Sequence, residues 1–257
     1  MKSEFLNLLR DPATKAKLEY RTAGSEELLI SPGGKKYRIE NGIARFIKAE
    51  ELEANNRRYV KLYDRIAPVY DLTTTLYASF KEGSVRDRLM QYLGKIDVLD
   101  GQTVIEISIG TGRNIVYMNP RGDYYGVDIS IGMLRRCQKV IRKAGRGIGL
   151  IQAEAESLPL ADESFDVVFS AGGFNFFNDR SRAMNEMLRI AKSGTKLLIS
   201  DETEKVRARL DKSPVTRRFY DQEKITDPAA FVPEWCKEVR YEEVCGGELY
   251  ALTFRKP

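Results

Sequence analysis

Between Asp100 and Asp201 the chain alternates short, β-branched apolar runs with stretches of helical periodicity, an order that few folds accommodate. The runs TVIEISI, YYGVDI, GLIQA, FDVVFSA and TKLLISD are apolar at successive positions, as strands buried on both faces must be. Helical patterns fall between them, from Met133 to Arg142 and from Arg180 to Ala191. A parallel sheet with helices on both faces satisfies both patterns, so the sequence predicts a Rossmann-like, doubly wound α/β fold. The last segment departs from this rule. VRYEEV and ELYALTF flank Cys245–Gly246–Gly247, a spacing that suits a hairpin, so the mostly parallel sheet should end in an antiparallel pair.

The N-terminal part has another rhythm. Leu28–Ile30 and Tyr37–Ile39 are short β segments separated by Ser31–Pro32–Gly33–Gly34, with a second turn at Asn41–Gly42. Residues 1–48 therefore read as a small β-rich module, and 49–257 as the main domain. Between them Glu50 to Arg58 is charged, lacks Pro and Gly, and reads as a helix or helical linker.

Composition removes several chemistries. Apolar residues make up 42% and charged residues 31% of the 257, the balance of an ordinary globular chain. No run approaches the ~20 apolar residues that a membrane helix needs. The N-terminus does not resemble a signal peptide, so the cytoplasm is the default location. Cys137, Cys236 and Cys245 are far apart and form no CxxC pair, which indicates neither a disulfide framework nor a thiolate metal site. The chain has no histidine, which removes the commonest general base and metal ligand. Its net charge of +5 permits an anionic partner.

The first strand of the alternating region ends in Glu106–Ile107–Ser108–Ile109–Gly110–Thr111–Gly112. Gly110 and Gly112 allow a sharp turn and a close ligand at the carboxyl end of the strand, where open α/β sheets bind ligands. Ile115 stands where a dinucleotide fingerprint needs its third glycine, which disfavours a nicotinamide site. Asp128 ends the next strand about 20 residues on, the spacing at which a carboxylate meets ribose hydroxyls. Ser130 is the better placed cap for the following helix. An acid after the third strand, in Ala153–Glu154–Ala155, can accept from an exocyclic purine amine.

Together, VIEISIGTGRN, YYGVDISIGML, AEAESLPLADESFDVVFS and LRIAKSGTKLLISDE resemble class I methyltransferases of the methyltransferase-11 type, which include the ubiquinone and menaquinone methyltransferases. The resemblance covers about Asp100 to Asp201 in the family's order. It implies S-adenosylmethionine as cofactor, with Glu106, Gly110 and Gly112 at its methionine end and Asp128 on the ribose. Ile129 and Met133 would pack on the adenine, Glu154 and Ala155 would read its edge, and Ser170 would close the site at the fourth strand. Glu154 stands where the family usually has Asp, and Ser108 where Gly or Cys is common. Tyr63 to Asp71 resembles a YDxxAxxYD segment that lies over the cofactor, with Tyr70 touching the methionine portion.

Residues Leu8 to Ala44 resemble the small Trm112-like zinc-ribbon family, whose four ligand positions fall here on Asp11, Thr14, Ser31 and Gly34. No zinc site can be built from these. The expectation is a metal-free module with its own core of Leu18, Leu29, Tyr37, Ile39 and Ile43.

Methyl transfer is an in-line displacement, so alignment and exclusion of water matter more than covalent catalysis. No catalytic residue is assigned. Phe174, Asn175 and Phe176, after the fourth strand, are candidates for an acceptor pocket, with core packing of the rings an equal alternative. A small-molecule acceptor is the leading expectation. An RNA acceptor is the alternative, suggested by net charge and by the basic run Arg135, Arg136, Lys139, Arg142, Lys143 and Arg146, which can equally be a solvated helix face. A catalytically silent cofactor-binding scaffold is the third. The acceptor atom and the oligomeric state are not encoded in any of these motifs.

Overall fold

In the computed structural model, described at residues 3–47, 84–210 and 227–257 and at positions 52, 56, 57, 60 and 64, the apolar runs become the centre of one eleven-stranded sheet. Helix α1 (Ser3–Leu8) precedes β1 (Glu19–Ala23), β2 (Glu26–Ile30), β3 (Lys36–Glu40) and β4 (Ile43–Arg45). Next come α2 (Val85–Leu93), β5 (Thr103–Ile107), α3 (Arg113–Val116), β6 (Asp123–Asp128), α4 (Ile131–Lys143) and β7 (Gly149–Gln152). The chain continues through β8 (Val167–Ala171), α5 (Arg180–Ile190), β9 (Lys196–Glu202), α6 (Glu204–Leu210), β10 (Lys237–Val244) and β11 (Leu249–Arg255).

The strand order is β1-β2-β3-β4-β7-β6-β5-β8-β9-β11-β10. Every neighbouring pair from β4 to β9 is parallel, and both flanks are antiparallel. This is the expected mostly parallel α/β sheet ending in an antiparallel hairpin. Alternate side chains serve opposite faces. Ile105, Ile107, Val168 and Ile199 pack with α5 on one face, and Val104, Val167, Phe169 and Leu198 with α2 and α4 on the other. Helix α4 forms where Ser130 accepts from the Met133 amide at 3.1 Å. It buries Met133, Leu134, Cys137 and Ile141, apolar side chains that each contribute roughly 1.5–3 kcal/mol on leaving water. A β-carbon at Gly126 would stand 2.3 Å from Ile109 Cδ1, so only glycine lets the β5–α3 loop lie against β6.

The N-terminal residues correct one expectation. Leu18, Leu29, Tyr37 and Ile39 share a cluster with the main-sheet residues Ile105, Ile107 and Phe165, while Ile43 packs in the cluster on the opposite face. There is no separate module core. The reason is pairing: β4 adds in parallel to β7, so the meander continues the sheet instead of closing on itself. Phe5 also stacks on Tyr125 at 5.7 Å, and Leu9 bridges to Leu160. A boundary at residue 48 is thus a proposal about chain organisation, and the core runs across it. At three of the four ribbon positions, side chains accept hydrogen bonds from their own turns, Thr14 Oγ1 from the Ala16 amide among them. Asp11 accepts from the amides of Ala13 and Thr14, from Thr14 Oγ1 and from the Tyr37 hydroxyl, and Ser31 Oγ accepts from the Lys35 amide.

All three cysteines are buried as thiols. Among the described residues, no helix is long and apolar enough to cross a membrane, and no group of three or more His, Cys, Asp or Glu could hold a metal ion.

Candidate active site

The parallel strands β5, β6, β7 and β8 deliver their carboxyl ends to one edge of the sheet, at the point where strand order reverses. There the β5–α3 loop folds back over β6, and the Gly110 amide donates to Asp128 Oδ2 at 2.8 Å. The Ser130 amide donates to Oδ1 at 2.9 Å. Burial pushes the Asp128 carboxyl up to about 6, against these two amides, and the nearby Asp64 carboxylate raises it further. Gly110 has φ +54°, and a β-carbon there would meet nothing within 4 Å, so the loop borders open space.

Glu106 is fully buried beneath this loop. Oε1 accepts from Asn114 Nδ2 at 2.5 Å, and Tyr92 donates to Asn114 Oδ1, which anchors α2 and α3 to the site. Oε2 has no partner. Burial drives this carboxyl well above the ordinary value, Asn114 opposes the shift, and Asp128 adds to it. Ser170, also buried, has no partner for its hydroxyl among the described residues.

The sequence-derived residues of the β5, β6, β7 and β8 ends stand together. Ile129 is half-buried after Asp128, and Met133 is buried in the first turn of α4. Glu154 follows β7 and accepts from Asn56 Nδ2 at 2.8 Å, while Ala155 begins a short 3₁₀ turn. Tyr70 lies outside the described residues. Phe174 requires a correction: it is 1% exposed and packs edge-on against Phe177 and Phe231. The segment turns as a 3₁₀ helix, so strand alternation does not hold and the ring goes to the core. Phe176 is half-buried. Asn175 is a brace: its amide donates to Asp201, Nδ2 donates to the Glu202 carbonyl, and Oδ1 accepts from Tyr250.

Sequence reasoning missed several residues. Asp64 Oδ1 accepts from Ser130 Oγ at 2.5 Å and from the Gly132 amide at 2.8 Å. Asn56 and Asn114 each bond one candidate acid, and only Asn114 had a local signal, its place in GTGRN. At the end of β9, the Glu202 side chain makes no hydrogen bond to any described residue. Burial and the Asp201 carboxylate push it up to about 7, Glu248 adds to the rise, and Arg209 and Arg88 oppose it.

Asp128 thus raises Glu106, the Asp64 carboxylate raises Asp128, and one Glu106 oxygen is orphaned among the described residues. A ligand with a cationic end and paired hydroxyls fits this set: Glu106 Oε2 can take an ammonium, and Asp128 retains lone pairs for a ribose. S-adenosylmethionine has both features. Ile115 is fully buried behind the loop and fills the space a dinucleotide-binding glycine would leave.

Comparison with known proteins agrees with this edge. Residues 105–199 match the family model described as a methyltransferase domain. A demethylmenaquinone methyltransferase of Renibacterium salmoninarum is 32% identical over 141 residues, 54% of this chain and 56% of the relative. A ubiquinone/menaquinone biosynthesis C-methyltransferase of Syntrophotalea carbinolica is 35% identical over 144 residues, 54% of this chain and 58% of that protein. The chain therefore spans little more than half the length of these relatives. Among solved structures, a SAM-dependent methyltransferase from Thermotoga maritima aligns with TM-score 0.57 at 21% identity, over 77% of this chain and 99% of that one. The PH0226 protein of Pyrococcus horikoshii gives 0.57 at 20% identity, over 76% and 98%. These two establish the fold. Residues 105–199 match a methyltransferase domain, and S-adenosylmethionine is the methyl donor of such domains.

Proposed function

We propose, from the methyltransferase domain at residues 105–199 as premise, that this chain transfers a methyl group from S-adenosylmethionine to a small-molecule acceptor of the quinol class. The observation that carries the donor is the orphaned Glu106 Oε2, buried beside Asp128 and the open Gly110 turn. The bound cofactor supplies an electrophilic methyl on a sulfonium. Glu106 holds the ammonium, Asp128 accepts from the ribose hydroxyls, and Glu154 with the Ala155 amide reads the adenine edge. The acceptor class comes from the two relatives, whose names specify quinone methylation.

An acceptor that loses a proton on methylation needs a base, and the chain has no histidine. Asp201, pushed up to about 6 by burial, accepts one backbone amide on each oxygen, from Asn175 and Glu202. Glu202, pushed up to about 7 at the end of β9, where its carbonyl accepts from Asn175 Nδ2, is the base we propose for that proton. Labelled S-adenosylmethionine with a chemically reduced demethylnaphthoquinone tests the reading. Label should enter the organic phase, and its rate should rise as pH rises through about 7. Cofactor binding without transfer to any quinol would remove the acceptor class and leave the donor site standing. RNA is the second reading, favoured by Arg135, Lys139, Arg142 and Lys143, which are exposed on α4 in a stretch without acids from 129 to 153. Salt-sensitive retention of RNA by the purified protein distinguishes it.

A further inference from the structure

Arg45, Gln152 and Asp128 stand in one row across β4, β7 and β6, each opposite the next in register. Arg45 Nε donates to Gln152 Oε1 at 2.8 Å, and Gln152 Nε2 donates to the carbonyl of Ile129 at 3.1 Å. The Phe46 amide donates to the Gln152 carbonyl at 2.9 Å, and the Ala153 amide to that of Asp128 at 3.2 Å. Glu40 holds the other side of the guanidinium at 2.5 Å. Gln152 is 4% exposed, so its amide has no access to bulk water.

An amide side chain can face either way, and in a buried site its neighbours decide. Arg45 is a donor only, so it selects the orientation that turns the Gln152 NH₂ toward Ile129. Without the guanidinium the Gln152 side chain keeps one anchor, the Ile129 carbonyl, and is free to swing away from it. The Ile129–Ser130 peptide, whose amide donates to Asp128 Oδ1, would then lose its support from behind. A second set of contacts steadies the loop after Glu154: Lys15 Nζ donates to the Leu158 carbonyl, the Arg10 amide to that of Pro159, and Ser157 Oγ to that of Pro12.

We propose that Arg45 is a positioning residue for the adenosine half of the cofactor, acting through Gln152 on the Ile129–Ser130 peptide, whose amide holds Asp128 Oδ1. The N-terminal strands thereby set cofactor affinity from behind the pocket without touching the ligand. This rests on the donor site proposed above.

Titration calorimetry of the full chain with S-adenosylhomocysteine and with 5′-methylthioadenosine tests it. Arg45→Met should weaken both ligands by the same factor, about tenfold, because the lost support lies under the part they share. Arg45→Lys keeps a donor for Gln152 and should recover most of the affinity. Arg21→Met, on β1 and paired only with Glu19 among the described residues, is the control and should change neither. Affinities within twofold of wild type for Arg45→Met would overturn the proposal, as would a loss confined to the homocysteine-bearing ligand or an equal loss in the Arg21→Met control. A wild-type protein that binds neither ligand would overturn the donor site itself, and this proposal with it.

Discussion

Two buried carboxylates, Asp11 and Glu106, show how the same chemical group serves opposite purposes in one sheet. Burial alone would raise Asp11, but the Thr14 amide, the Tyr37 hydroxyl, Thr14 Oγ1 and the Ala13 amide outweigh it and hold the group below its ordinary value. Glu106 has one donor, Asn114, and burial with the neighbouring Asp128 carries it well above. The first turn is complete in itself, so its carboxylate is structural. The second is short of positive charge, which a ligand can supply. Satisfaction of hydrogen bonds, more than burial, separates the two roles.

The harshest way to break this comparison is to delete residues 1–48. If the Asp11 turn is structural, the remainder should lose its cooperative melt in circular dichroism, because β7 loses β4 and the shared core loses Phe5, Leu9, Leu29 and Tyr37. A sharp, unchanged transition would make the N-terminal strands an accessory.

Next in size is Asp128→Ala. Two ribose hydroxyls would lose a charged acceptor, at roughly 1.5–3 kcal/mol for each bond, so calorimetry should show affinity for S-adenosylhomocysteine falling at least tenfold. In the wild type the same group sets a pH dependence: affinity should fall as pH drops through about 6, where Asp128 takes up a proton and ceases to be a charged acceptor.

Asp11→Ala should cost roughly 2 kcal/mol in urea unfolding while leaving cofactor affinity within twofold. Because the folded value is depressed, the contribution is full above the ordinary 3.8 and is lost as pH falls through the lower folded value. The gap between variant and wild type should therefore close in acid. A gap constant to the lowest pH would deny the carboxylate its role.

Glu106→Gln has the smallest effect on stability and the opposite sign. A raised folded value means the native state holds the proton, so wild-type stability declines as pH rises above the ordinary 4.5. The amide should flatten that decline, by about 1 kcal/mol in alkaline buffer, and weaken the cofactor at the same time. Lower stability at every pH would show that the site is not short of charge.

Local patterns carried most of the fold. The 3.6-residue period of α4, the Ser130 cap and the turn at Cys245–Gly247 are each contained within a few residues, so strands, helices and hairpin were legible. The site was legible where glycines and acids end strands, at Gly110, Asp128 and Glu154. What stayed hidden depends on partners distant in the chain: Asn56 on Glu154, 98 residues away, Asp64 on Ser130, 66 away, and Arg45 on Gln152, 107 away. No periodicity encodes such a pairing, and the β4–β7 join escaped for that reason. Phe174 stayed open between pocket wall and core because a 3₁₀ turn shares no face rule with a strand.

The join also orders events during synthesis. Strand β4 leaves the ribosome long before β7 exists, since Ile43 pairs with Leu150. The meander must wait with one strand edge open and with Leu29, Tyr37 and Ile39 lacking the neighbours that later bury them. Such an intermediate is exposed to mispairing, and closing a contact this distant in sequence slows folding. The exposed residues Glu19 and Arg21 of β1 and Glu26 of β2 place charge along that waiting sheet. They give the nascent chain a means of staying apart from its copies until the strand that completes it arrives.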